Sequence, residues 1–299
     1  MHRSLKMFGI LTTLGMLLVI IQGALVTQTG SGDACGPEWP LCLGQVIPEN
    51  PAIETMIEYT HRVVSAVLGL MVIGLAVWSW RKIGHLRETK LFSILAVIFI
   101  VFQGLLGAAA VVWGQSDAVM ALHFGFSLIS FASVLLLTLL AFEDGKPAKL
   151  TKPFIKKRVR RYIYFVVAFI YFVVYTGAYV KHTNSGGACA GWPLCNGELI
   201  PTLTGPAAIQ FGHRVVAGLL FFIVLGLFIQ LLKHHRDNKP LFLSGLLTFI
   251  FISAQVTSGA IIIFSGFNLN ATIAHAFIVS LLFGSACYTA LIASRSDAK

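Results

Sequence analysis

Eight stretches of about twenty mostly apolar residues, at 7–27, 58–80, 91–113, 119–142, 162–181, 209–232, 241–264 and 271–293, decide what this chain can fold into. Twenty residues of helix at 1.5 Å each match the roughly 30 Å hydrocarbon core of a bilayer. Inside that core every backbone N–H and C=O must find its partner within the protein, which a helix achieves alone. The expected fold class is therefore an all-α membrane protein with eight transmembrane helices. Composition agrees, since 57% of the 299 residues are hydrophobic and only 11% charged, where a soluble domain carries about a quarter charged residues. Arg3 and Lys6 precede the first run, as in a signal peptide. That run is long for a signal sequence and no small-residue cleavage pattern follows it, so it is expected to be a retained span.

A net charge of +10 would suit a nucleic-acid binder if it were gathered on one surface, but its location points to membrane topology instead. Arg3 and Lys6, the 2–3 and 6–7 connections, the 4–5 connection "KPAKLTKPFIKKRVRR", and Arg295 and Lys299 hold all but three of the 22 Lys and Arg residues. In an eight-span chain these all fall on one side. The positive-inside rule makes that side cytoplasmic, with both termini inside a cell membrane, and leaves no role for nucleic acid. The exceptions are Lys181, Arg62 and Arg214.

The chain also repeats itself. "GALVTQTGSGDACGPEWPLC" (23–42) returns as "GAYVKHTNSGGACAGWPLC" (177–195), and "EYTHRVV" (58–64) returns as "QFGHRVV" (210–216). His61 and His213 are 152 residues apart, as are Gln103 and Gln255, Gly107 and Gly259, and His123 and His275. This register predicts two tandem four-helix bundles related by pseudo-two-fold symmetry: an N-terminal half at 1–145, a basic cytoplasmic linker at 146–161 and a C-terminal half at 162–299. An even number of spans per half gives both the same orientation.

Spans 2, 4, 6 and 8 run in one direction, and His61, His123, His213 and His275 lie near their outer ends. Each half thus holds two histidines at one depth, and two imidazoles facing across a bundle can be the axial ligands of a haem iron. A lone intramembrane histidine can equally be a hydrogen-bonded packing residue, but two depth-matched pairs favour ligation. Zinc would need a third and fourth N or S ligand at the same level. Arg62 and Arg214 follow their histidines directly, placing them to meet haem propionates or to act as interfacial anchors. His2, His85, His182, His234 and His235 lie at helix ends or in loops and are expected to be solvated.

Cys35 and Cys42, and Cys189 and Cys195, fall in outward loops rich in Gly, Trp and Pro. One disulfide per half, stapling a loop over its pocket, is expected on that face of the membrane. A redox-active Cys35–Cys42 pair is the sharper alternative. Cys287 stands alone in the last span, where a small buried hydrophobe is expected.

One difference between the halves suggests chemistry. Glu58 is three residues before His61 and shares its helix face, while the matching residue in the second half is Gln210. An ionisable carboxylate at the membrane edge is a functional candidate, able to exchange protons where glutamine cannot. The first half is then expected to carry out a reaction, and the second to keep a permanent haem that passes electrons.

These features together resemble the haem A synthases of Gram-positive bacteria over nearly the whole chain: "EYTHR" with His123, "GHR" with His275, the two Cys–Trp-Pro-Leu-Cys loops and the duplicated eight-span layout. The resemblance implies oxidation of the C8 methyl of haem O to a formyl group, giving haem A for terminal oxidases. It implies His61 and His123 as ligands of the substrate haem, His213 and His275 as ligands of a cofactor haem b, and Glu58 as catalytic. Haem O synthase (protoheme farnesyltransferase) is the implied source of substrate, with an electron partner not identified by sequence. Two other classes compete: a di-haem b cytochrome for quinol electron transfer, against which the Glu58/Gln210 difference speaks, and a haem transporter or chaperone.

Overall fold

The computed structural model describes residues 2–296 and is built of α-helices. Lys299 of the basic tail lies outside the described residues. Eight of the helices are long and apolar enough to cross a membrane. The chain divides into two units, Met1–Asp144 and Gly145–Lys299.

The first unit holds α1 (Arg3–Thr29), a single 3₁₀ turn (Ser31–Asp33), α2 (Ile53–Ile83), α3 (Thr89–Trp113) and α4 (Asp117–Glu143). Consecutive helices are neighbours and α4 closes back on α1, forming an antiparallel four-helix ring with α2 and α4 on one diagonal. The second unit begins with a short α5 (Ala148–Thr151) against α8, then repeats the pattern with α6 (Lys157–His182), α7 (Gly205–His234), α8 (Lys239–Phe264) and α9 (Leu269–Ser294), where α9 closes on α6. The basic stretch expected as a linker therefore contains α5 and the first turn of α6.

Each helix is longer than its apolar run. At 31 residues, α2 extends about 46 Å, well beyond the hydrocarbon core. Its ends keep their intrahelical bonds at headgroup level, and Arg81 and Lys82 in its last turn complement the helix dipole. Termini follow local chemistry. Gly30 takes the left-handed conformation that stops α1 (φ 68°), and Ser116 and Asn238 accept backbone N–H bonds at the starts of α4 and α8.

The outward faces are apolar: Leu70 is 73% exposed and Phe222 68%. In water such surfaces would associate, whereas in lipid they are solvated. Lipid tails are as apolar as leucine, so helices are held together by packing and buried polar pairs. Thr13 bonds Thr138 between α1 and α4 (3.0 Å), and Thr289 and Thr248 reach Ser244 and Ser285 between α8 and α9 (2.9 and 3.1 Å).

Candidate haem-binding sites

Because α2 starts at Ile53, His61 lies eight residues, or about 12 Å, along its helix; His123 lies six residues, or about 9 Å, along α4. In the second unit His213 is eight residues into α7 and His275 six into α9. Each imidazole is half-buried.

Each ring is seated on a glycine of a neighbouring helix. A Cβ on Gly23 of α1 would lie 3.3 Å from His61 Cε1, and one on Gly107 of α3 would lie 3.4 Å from His123 Cε1. The corresponding distances are 3.1 Å from Gly177 of α6 to His213 and 3.5 Å from Gly259 of α8 to His275. Glycine, having no side chain, lets the helix backbone lie against the ring.

Hydrogen bonds at Nδ1 select the tautomer. His123 Nδ1 donates to Gln103 O (2.8 Å). Thr176 Oγ1 donates to Val173 O, so at 2.8 Å from His213 Nδ1 it can only accept. Ser258 Oγ donates to Gln255 O and likewise accepts from His275 Nδ1 at 2.8 Å. In these three the lone pair must therefore be on Nε2, the arrangement of metal-ligating imidazoles held by an outer partner. His61 differs: its Nδ1 is buried without a partner.

Among the described residues no group of three or more His, Cys, Asp or Glu side chains converges as a metal cage. A haem draws only two axial ligands from protein, and two imidazoles from one helix bundle are a donor set whose chemistry fits it. Both units offer such a set: His61 with His123, and His213 with His275.

Above each pair lies a disulfide-closed loop. Cys35–Cys42 and Cys189–Cys195 are both formed, with Cα separations of 4.4 and 4.5 Å, and all four cysteines are buried. A short bridge turns each loop back, Cys42 to Gln45 and Cys195 to Glu198. Cys287 is a free, half-buried thiol in α9.

Glu58 and Gln210 are both buried beneath these loops and do the same structural work. Cys35 N–H donates to Glu58 Oε2 (2.8 Å), and Cys189 N–H donates to Gln210 Oε1 (2.6 Å). The arginines complete the clasp. Arg62 donates to Leu41 O (2.9 Å) and Gly36 O (3.4 Å); Arg214 donates to Gly191 O (2.9 Å), Leu194 O (3.0 Å) and Cys189 O (2.9 Å). Only Arg62 also meets a carboxylate, donating through Nε (3.0 Å) and a terminal nitrogen to Glu58 Oε1. At this position the units therefore differ by one negative charge, while both bind the loop amide and loop carbonyls. Glu58 is joined to the loop and to Arg62 rather than to His61.

Sequence reading singled out the histidines and Glu58 and anticipated the two disulfides that form, but not the arginine-to-loop bonds. The four-residue spacing of Glu58 and Arg62 was the available signal, since such pairs meet on a helix face. It also missed the glycine seats and the Nδ1 partners. Of the histidines expected to be solvated, His85 is exposed and also pairs with Asp144 (3.0 Å), which His2 approaches (3.7 Å).

Residues 6–287 match the COX15-CtaA family, described as cytochrome oxidase assembly protein. Among curated relatives, the protein named "Heme A synthase" in Halalkalibacterium halodurans is 54% identical over 298 residues, covering all of both chains. Proteins of the same name are 49% identical in Shouchella clausii, over the full length of both chains, and 48% identical in Alkalihalophilus pseudofirmus, over 99% of each.

Proposed function

The chain belongs to the COX15-CtaA family of cytochrome oxidase assembly proteins, and we propose that it is a haem A synthase, a multi-pass membrane enzyme that oxidises the C8 methyl of haem O to a formyl group. The reaction places it among oxidoreductases. It acts in the cell membrane with both termini cytoplasmic, a placement supported by the one-sided distribution of Lys and Arg.

In this reading His61 and His123 bind the substrate haem, and His213 and His275 hold a resident haem b. When bound, haem b supplies one-electron transfer. Methyl plus one water to aldehyde releases four electrons and four protons, most simply through an alcohol and then a gem-diol that loses water. Glu58 takes up protons released at C8, or stabilises positive charge developing there. Arg62 balances its charge, and the Cys35 amide fixes its second oxygen. The disulfide loop lids the pocket against bulk water. Each guanidinium has five N–H donors, so Arg62 and Arg214 can anchor their loops and still offer a donor to a propionate. Substrate comes from a haem O synthase, and electrons leave to a separate partner.

The observation that carries the assignment of roles is the Glu58/Gln210 pair: two acceptors of the same loop amide, only one of which can exchange a proton. The test is co-expression with a haem O synthase, followed by pigment extraction and mass analysis. Haem A is the expected product; recovery of haem O and haem b alone would overturn the proposal and leave an electron carrier.

A further inference from the structure

Three of the four imidazoles are fixed at Nδ1 by an acceptor 2.8 Å away, and His61 is not. The difference traces to one position. Thr176 immediately precedes Gly177 in α6, and Gln22 immediately precedes Gly23 in α1. Both glycines meet Cε1 of their histidine, at 3.1 and 3.3 Å, so the two rings are seated alike. Thr176 places a hydroxyl on His213 Nδ1. Gln22 makes no such bond: its Oε1 is also buried without a partner. Gln22 instead lines, with Leu25, Ile53, Met56, Ile57 and Thr60, an open cavity of about 370 Å³ between α1 and α2.

An outer hydrogen bond at Nδ1 fixes the ring and strengthens Nε2 as a donor, and removing one typically lowers metal affinity about 10–100-fold. A substrate site must release its product every turnover, whereas a cofactor site must not. We propose that His61 is the displaceable ligand of the first unit, and that Gln22, standing where the second unit has threonine, is the positioning residue that makes it so. When haem is bound, it would first give up the His61 Nε2–iron bond, with the electron pair returning to nitrogen and no change of oxidation state. It stays meanwhile on His123, whose ring is held by Gln103 O. The inference rests on the assignment of substrate to the first unit.

The test uses the full-length protein in detergent, loaded with protohaem and mixed with excess apomyoglobin, with haem transfer followed by absorption. Two phases are expected, and His61→Ala combined with His123→Ala should abolish the fast one. Gln22→Thr should slow the fast phase about tenfold or more and leave the slow phase in place, which also reports an intact fold. Thr176→Val should accelerate the slow phase by a similar factor. If either variant fails to move its own phase, the inference is overturned. If instead the fast phase survives the His61→Ala/His123→Ala variant and disappears when His213→Ala and His275→Ala are combined, the assignment of the two units itself is wrong, a result distinct from failure of the Gln22 argument.

Discussion

Replacing Glu58 with glutamine separates chemistry from architecture, because the second unit already shows what that side chain does there. Gln210 accepts the Cys189 amide at 2.6 Å, so a glutamine introduced at position 58 is expected to keep the bond to the Cys35 amide. What disappears is the charge paired with Arg62. Breaking a buried ion pair costs about 3–5 kcal/mol when the surviving charge is left bare. Arg62 is not left bare, for it retains Leu41 O and Gly36 O, much as Arg214 rests on carbonyls. The amide oxygen can still accept from it as well. The loss is then the difference between charged and neutral hydrogen bonds, about 1–2 kcal/mol. By the scaling for large domains, that lowers the melting temperature roughly 2–8 °C. Loss of proton exchange in the transition state costs far more rate, about 10²–10⁴-fold. Glu58→Gln should therefore keep its haem b and melt within a few degrees of the parent while forming at least about a hundredfold less haem A. The assay is haem A per mole of protein by mass after co-expression with a haem O synthase, alongside a thermal melt. Haem A output within a few-fold of the parent would remove Glu58 from the mechanism. Loss of haem b together with the fold would show that its role is structural.

His213→Ala should remove the haem b absorption bands from purified protein, whereas His61→Ala should leave them in place; a spectrum of each variant decides. Gly177→Ala puts a methyl 3.1 Å from His213 Cε1, so the ring must tilt, and haem b occupancy measured by pyridine haemochrome should fall. Cys189→Ser with Cys195→Ser opens a short loop and should cost roughly 2–3 kcal/mol, read as a lower melting temperature and faster proteolysis at Trp192–Leu194.

Much of this molecule is readable along the chain because the bilayer imposes one fixed length on every span. Eight apolar runs of suitable length give eight helices, and residues such as Gly30 and Asn238 mark where helices stop or start. His61 and His123 could be placed at one depth by counting residues, since rise per residue is constant. The cysteine pairs were legible because few side chains lie between their partners. Glu58 stood out only because the second copy of the motif has Gln210.

Tertiary structure decided which partner each polar group takes. Arg62 could have reached outward, yet it closes on carbonyls 21 and 26 residues earlier in the chain. Gln22 and Thr176 hold corresponding places, but only the threonine's short side chain is found on an imidazole. Such choices depend on rotamers and on atoms contributed by a neighbouring helix, neither of which hydrophobic periodicity encodes. Span number was thus settled by local composition measured against the membrane. Ring orientation, the loop clasp and the unpartnered His61 nitrogen were settled by side-chain directions that exist only once the helices have packed.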